Sequence, residues 1–92
     1  MKPSELMLKG YAMVGKQCKV RFYEGPNGFN PTAVCALGAI RFAATGSAIG
    51  NSPEADQAGF LWRSLFEQYI GDSNDKGMLI EDIAGILASE GM

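Results

Sequence analysis

The stretch Ala33-Val34-Cys35-Ala36-Leu37-Gly38-Ala39-Ile40-Arg41-Phe42-Ala43-Ala44-Thr45 decides the fold. Its only charge is Arg41, and small residues (Ala36, Gly38, Ala39, Ala43) alternate with bulky ones (Val34, Leu37, Ile40, Phe42). Length and alanine content favour a helix over a buried strand, although an apolar run suits both. A helix apolar on nearly every side must be covered on nearly every side. Residues 33–45 are therefore expected to form a central core helix with the rest of the chain packed around it.

Working outward, residues 3–16 read as a first helix. Pro3 suits a first helical position, Glu5 suits the positive end of the helix dipole, and Gly15 suits a C-terminal cap. Leu6, Met7, Tyr11, Met13 and Val14 give it an apolar side. Residues 17–24 alternate: Cys18, Val20 and Phe22 on one face, Lys19, Arg21 and Tyr23 on the other, the period of a half-buried strand. Gly25-Pro26-Asn27-Gly28 has turn chemistry. A return strand from near Phe29 would complete a hairpin, limited by Pro31; Asn30-Pro31 could instead open the central helix.

After a loop at 45–51, Ser52-Pro53-Glu54 combines a hydroxyl N-cap, a proline at the first position and an acid in the first turn. The spacing predicts a helix from there to about Ile70. Its apolar stripe is Ala58, Leu61, Trp62, Leu65, Phe66, Tyr69 and Ile70, with Phe60 on the flank beside Arg63. Residues 71–77 read as a polar loop. Residues 78–90 read as a last helix, with Leu79, Ile83, Ile86 and Leu87 inward. The whole is an α+β domain over residues 1–92: N-terminal helix, β-hairpin, then three helices around the central Ala/Gly-rich one.

The chain has 92 residues, two cysteines, no histidine and a net charge of −2. Residues 1–41 hold six cations against two acids, a net of +4; residues 42–92 hold two against eight, a net of −6. No apolar run reaches the ~20 residues of a membrane span. Glu5 and Lys9 interrupt the apolar stretch that a signal peptide needs, so a cytoplasmic protein is expected. Cys18 and Cys35 are expected to be reduced, buried thiols. With no histidine, the usual general base is missing, and Cys–His and Ser–His nucleophiles are excluded. No Cys/His cluster has metal-ligand spacing, and Gly46-Ser47-Ala48-Ile49-Gly50 lacks the lysine of a phosphate loop. The 71–77 acids do not follow a calcium-loop pattern. The expectation is no catalysis, no metal, no cofactor and no small-molecule substrate.

What remains are contacts. Lys16, Lys19, Arg21 and Tyr23 would line one face of the hairpin, where cations interleaved with an aromatic can hold phosphate and stack a base; a solvated strand face is the plainer reading. Phe60 and Arg63 offer an aromatic anchor and a cation of the kind enriched at interfaces. Arg41 is expected to meet an acid where the core helix reaches solvent.

At Cys35-Ala36-Leu37-Gly38-Ala39-Ile40 and Asn74-Asp75 the chain resembles a small, uncharacterised domain family of bacterial and phage proteins. That family has an N-terminal helix, a hairpin, a Cys-x-x-Gly-Ala-apolar helix start, a further helix, and a Trp-Asn-Asp loop before the last helix. The resemblance spans most of residues 5–90; Ser73 stands where the tryptophan is usual, and Met78 and Leu79 where a capping threonine is. It implies a fold and no activity. By size, acidity and single-domain character the chain is also similar to phage anti-CRISPR proteins. The function expected is a non-enzymatic inhibitor that binds a host protein or a CRISPR RNA–protein complex, with an RNA backbone contact open to the basic strand. The alternative is a small structural or regulatory domain that self-associates through its helices.

Overall fold

The computed structural model describes residues 1–92. The elements run α1 (Pro3–Val14), β1 (Tyr23–Glu24), β2 (Ala33–Val34), α2 (Ala36–Thr45), α3 (Pro53–Phe66), α4 (Ile70–Asp75) and α5 (Ile80–Ser89). The architecture is α+β, with an N-terminal helix, a short antiparallel hairpin and a central helix. No helix is long and apolar enough to cross a membrane.

Helix ends follow local chemistry. Pro3 opens α1, the Glu5 carboxylate accepts the Lys2 backbone N–H at 2.9 Å, and Gly15 closes the helix at φ 88°. Ser52 Oγ accepts the Ala55 N–H at 3.1 Å to cap α3. Cys35 Sγ takes the same role for α2, accepting from Gly38 N–H at 3.3 Å. The central helix thus begins one turn later than its apolar run, because Ala33 and Val34 are spent on β2. Neither Asn30 nor Pro31 caps it.

Ala36, Ala39 and Ile40 of α2 are buried in one core with Leu6 and Met7 of α1, Val34, Trp62 of α3, Ile70 of α4, and Ile80, Ile83 and Leu87 of α5. Two glycines set the spacing around α2. A Cβ on Gly10 would run into the Ala39 carbonyl, and one on Gly38 would run into the Phe22 carbonyl. Helix α1 and the 20–24 segment therefore press on α2 at the neighbouring positions Ala39 and Gly38.

Several expectations are corrected. The 17–24 strand is mostly not a strand: only Tyr23–Val34 and Glu24–Ala33 pair, with one isolated parallel bridge between Gln17 and Val34. Val20 adopts φ 74°, so the alternation breaks there. Cys18 is buried as expected, but Val20 and Phe22 are exposed, and Tyr23 packs against the core instead of facing outward. The return strand begins at Ala33, not near Phe29. The helix expected to reach Ile70 stops at Phe66, where Glu67 turns left-handed at φ 56°. The polar loop expected at 71–77 is largely α4. Its buried side chains include Ser73 and Asn74, so polarity hides a packed helix from hydropathy reading. Leu65, Phe66, Tyr69, Met13 and Leu79, all assigned inward, are exposed.

Candidate functional site

A buried amide organises this region. Asn74 is fully buried. Its Oδ1 accepts from Gln17 Nε2 at 2.8 Å and from the Ala36 N–H at 3.0 Å, while its Nδ2 donates to the Cys18 carbonyl at 2.8 Å. Gln17 completes the clamp, donating to the Met78 carbonyl at 2.8 Å and accepting the Ile80 N–H at 2.9 Å. Asp75 Oδ1 accepts the Val20 N–H at 2.7 Å. One Asn-Asp pair thereby ties α4 to the start of α2 and to the loop after α1. Ser73 Oγ accepts the indole N–H of Trp62 at 2.8 Å. Asn74 and Asp75 are positioning residues, and what they position is the 18–22 segment.

That segment forms one wall of an open cleft of about 590 Å³, lined by Val20, Arg21, Phe22, Tyr23, Leu37 and Ile49 among others. A second, smaller groove of about 260 Å³ is lined by Leu37, Arg41, Asp56, Phe60, Arg63 and Tyr69 among others. Leu37 belongs to both, so the two form one strip along α2. Its side chains are unusually apolar for a surface: Val20 is 83% exposed, Phe60 79%, Tyr69 59% and Ile49 58%. Val20 is also strained, since a β-branched residue at positive φ is an outlier. Strain of that kind persists only where surrounding structure over-determines it, and it concentrates at functional positions; here the Asp75 hydrogen bond supplies the constraint.

The expected contact residues divide. Arg21 and Tyr23 line the larger cleft, and Phe60 and Arg63 the smaller groove. Lys16 and Lys19 are exposed but line neither. No continuous strand carries them, so the basic strand face expected from the alternation does not form. Arg63 is held by Tyr69: its guanidinium lies 4.9 Å from the ring centroid and its Nη1 donates to the phenol at 3.1 Å. Arg41 meets the expected acid, with Nη2 3.9 Å from Asp56 Oδ1, donates to the Gly50 carbonyl at 2.9 Å, and lies 5.1 Å from the Phe22 centroid.

Sequence reasoning missed Val20, Phe22, Leu37, Ile49 and Tyr69 as site residues. Ile49 carried a signal, as a lone large aliphatic inside a Gly/Ser/Asn loop. The others read as core, because an apolar residue at core spacing looks the same whether or not something covers it.

Both cysteines are free and buried, and Cys35 also lines the larger cleft. Burial pushes the Cys18 thiol up to about 11, with the nearby Cys35 and Glu24 adding to the rise. Burial raises Cys35 too, against the Gly38 and Leu37 N–H groups that favour its thiolate. A thiol held protonated is a poor nucleophile. The folded state keeps the Cys18 proton to higher pH than the unfolded chain, whose thiol titrates near 9.0. Between about pH 9 and 11 the folded protein binds more protons, and stability falls as pH rises through that window. Urea unfolding across this window is expected to show a steeper decline for the native sequence than for Cys18→Ala. Parallel declines would place the titration elsewhere.

In comparisons with family models, curated proteins and solved structures, no match was found for this chain. The class of protein is therefore argued from the strip itself: a small α+β domain presenting apolar and arginine side chains beside two open clefts.

Proposed function

We propose that the chain is a non-enzymatic inhibitor of phage type, which binds a host defence protein or RNA–protein complex and blocks it by occupying a surface. The binding face is the strip from Val20 and Phe22 across Leu37 to Phe60 and Tyr69. One observation carries this: large apolar side chains, two of them phenylalanines, are exposed side by side with Arg21, Arg41 and Arg63 around clefts that share Leu37. Aromatic residues and arginine are what interface centres are enriched in, and a few such residues carry most binding energy. The strained Val20 fits this reading, because a surface kept for binding tolerates a cost to stability. Protein contact leads over RNA contact, since Lys16 and Lys19 stand apart from the strip. The size, acidity and single-domain character resemble those of anti-CRISPR proteins, and that resemblance supplies the choice of host defence as target.

Inhibition is expected to be stoichiometric, reaching completion near one protein per target. Phe60→Ala is expected to weaken binding by about 2 kcal/mol, roughly thirtyfold, with little change in melting temperature. Val20→Gly is expected to split the two properties, holding or raising stability by relieving the left-handed strain while weakening binding. Charge reversal of Lys19 should matter less than either. Calorimetric titration of the target with each variant decides this. Full affinity in Phe60→Ala, coupled to a strong loss on Lys19 reversal, would return the interface to the basic segment. A stable dimer whose contacts cover Phe60 would favour the self-association alternative.

A further inference from the structure

The smaller groove holds two guanidiniums and a single carboxylate. Arg41 and Arg63 both line it, and Asp56 is the only acid among its lining residues. That acid is a poor partner: Asp56 Oδ1 stands 3.9 Å from Arg41 Nη2, far beyond the ~2.7–2.9 Å of a charge-assisted hydrogen bond. The two side chains also sit in unlike environments, since Arg41 is 17% exposed and Asp56 79%. An exposed carboxylate at that distance contributes little. The adjacent Arg41 Nε is the one buried side-chain polar atom in the protein without a hydrogen-bond partner. Buried donors are nearly always satisfied, so one edge of this guanidinium, Nε with Nη2, is left short of an acceptor. The rest of the group is fixed: Nη1 on the Gly50 carbonyl at 2.9 Å, the plane against Phe22. Arg63 is likewise held by Tyr69. Rotamer freedom is already restricted at both cations, which lowers the entropic cost of binding. Beside them lie Leu37 and Phe60.

We infer that this groove receives a carboxylate side chain, Asp or Glu, set next to an aromatic or aliphatic residue on the partner protein, which takes the place Asp56 fills poorly. The inference rests on the binding face proposed above and names the chemistry that face meets. Arginine presents a planar fork matched to a carboxylate, and the groove supplies one positive charge more than it neutralises. A phosphodiester chain fits less well. Asp56 already stands in the groove lining, and like-charge juxtaposition disfavours a polyanion while tolerating one acid in a mixed protein surface.

The test is NMR titration of the intact protein with 3-phenylpropionate, alongside its neutral counterpart 3-phenylpropanol, inorganic phosphate and a short single-stranded RNA. The expected result is saturable binding with a Kd on the order of millimolar, shifting the Nε–H signals of Arg41 and Arg63. The exposed substitution Asp56→Asn should tighten binding by about threefold, because the resident carboxylate no longer competes. Arg63→Gln should weaken it by about fivefold. Equal binding of the alcohol would make this an apolar pocket only. Tighter binding of phosphate or RNA would make it a nucleic-acid or general anion site. An unchanged or weaker Asp56→Asn, or no saturable shift, would equally overturn the inference. If the probe fails while Phe60→Ala still weakens target binding as expected, the face stands and its carboxylate partner does not. If the probe behaves as expected while Phe60→Ala binds its target fully, the proposed face falls instead.

Discussion

Gly38→Ala is expected to destabilise the protein by about 3 kcal/mol, although alanine is the better helix former by up to ~1 kcal/mol. The added Cβ would run into the backbone carbonyl of Phe22, which cannot swing aside as a side-chain terminus would. That carbonyl already accepts the Cys35 N–H at 3.1 Å. Relief would therefore move the hairpin away from α2, open the larger cleft and loosen the Cys35 cap. Gly38→Leu should be worse still. Gly59→Ala in α3 is the internal control: nothing lies within 4 Å of the new Cβ, so it should be neutral or stabilising. Urea unfolding of the three variants checks the pattern. Equal stability of Gly38→Ala and Gly59→Ala would mean that α2 and the 20–24 segment do not touch as described.

Asn74→Ala is expected to cost about 3–5 kcal/mol, enough to leave a protein at the lower end of ordinary stability partly unfolded at room temperature. The substitution would strand the Ala36 N–H, the Cys18 carbonyl and one Gln17 bond, each desolvated at about 1–3 kcal/mol when left unpaired. Asn74→Asp keeps the acceptor and removes the donor to Cys18, so it should also be strongly destabilising. The accompanying signature is loss of amide-exchange protection at Val34 and Ala36 with α5 less affected. A mild effect below about 1 kcal/mol, the usual range for a surface substitution, would mean that the amide is not the hub of this region.

Helix ends were legible because capping is local. Ser52-Pro53-Glu54 and Gly15 carry their geometry within one turn, and the structure places both as read. The central helix was legible from its small residues, whereas the hairpin backbone that Gly38 meets was not. The 17–24 segment was misread because its decisive contact is distant in sequence. Asp75 fixes the Val20 N–H, and no period-two pattern records a carboxylate 55 residues away. Helix α4 was hidden for the same reason: Ser73 and Asn74 are polar and buried, with partners on α3, α2 and the 17–18 segment. At the site, Phe60 and Arg63 stood out because they sit on a polar flank. Phe22, Leu37 and Tyr69 did not, because each occupies a position that core packing would also explain.

The most direct measurement of the central claim is in-cell photo-crosslinking, with a photoreactive phenylalanine analogue replacing Phe60, Phe22, Lys19 or Glu81 one at a time. Glu81 is exposed on α5 and lines neither cleft. The account expects one host protein joined heavily from positions 60 and 22 and little from 19 or 81. Crosslinks concentrated at 19 or 81, or joining only a second copy of the chain, would contradict it.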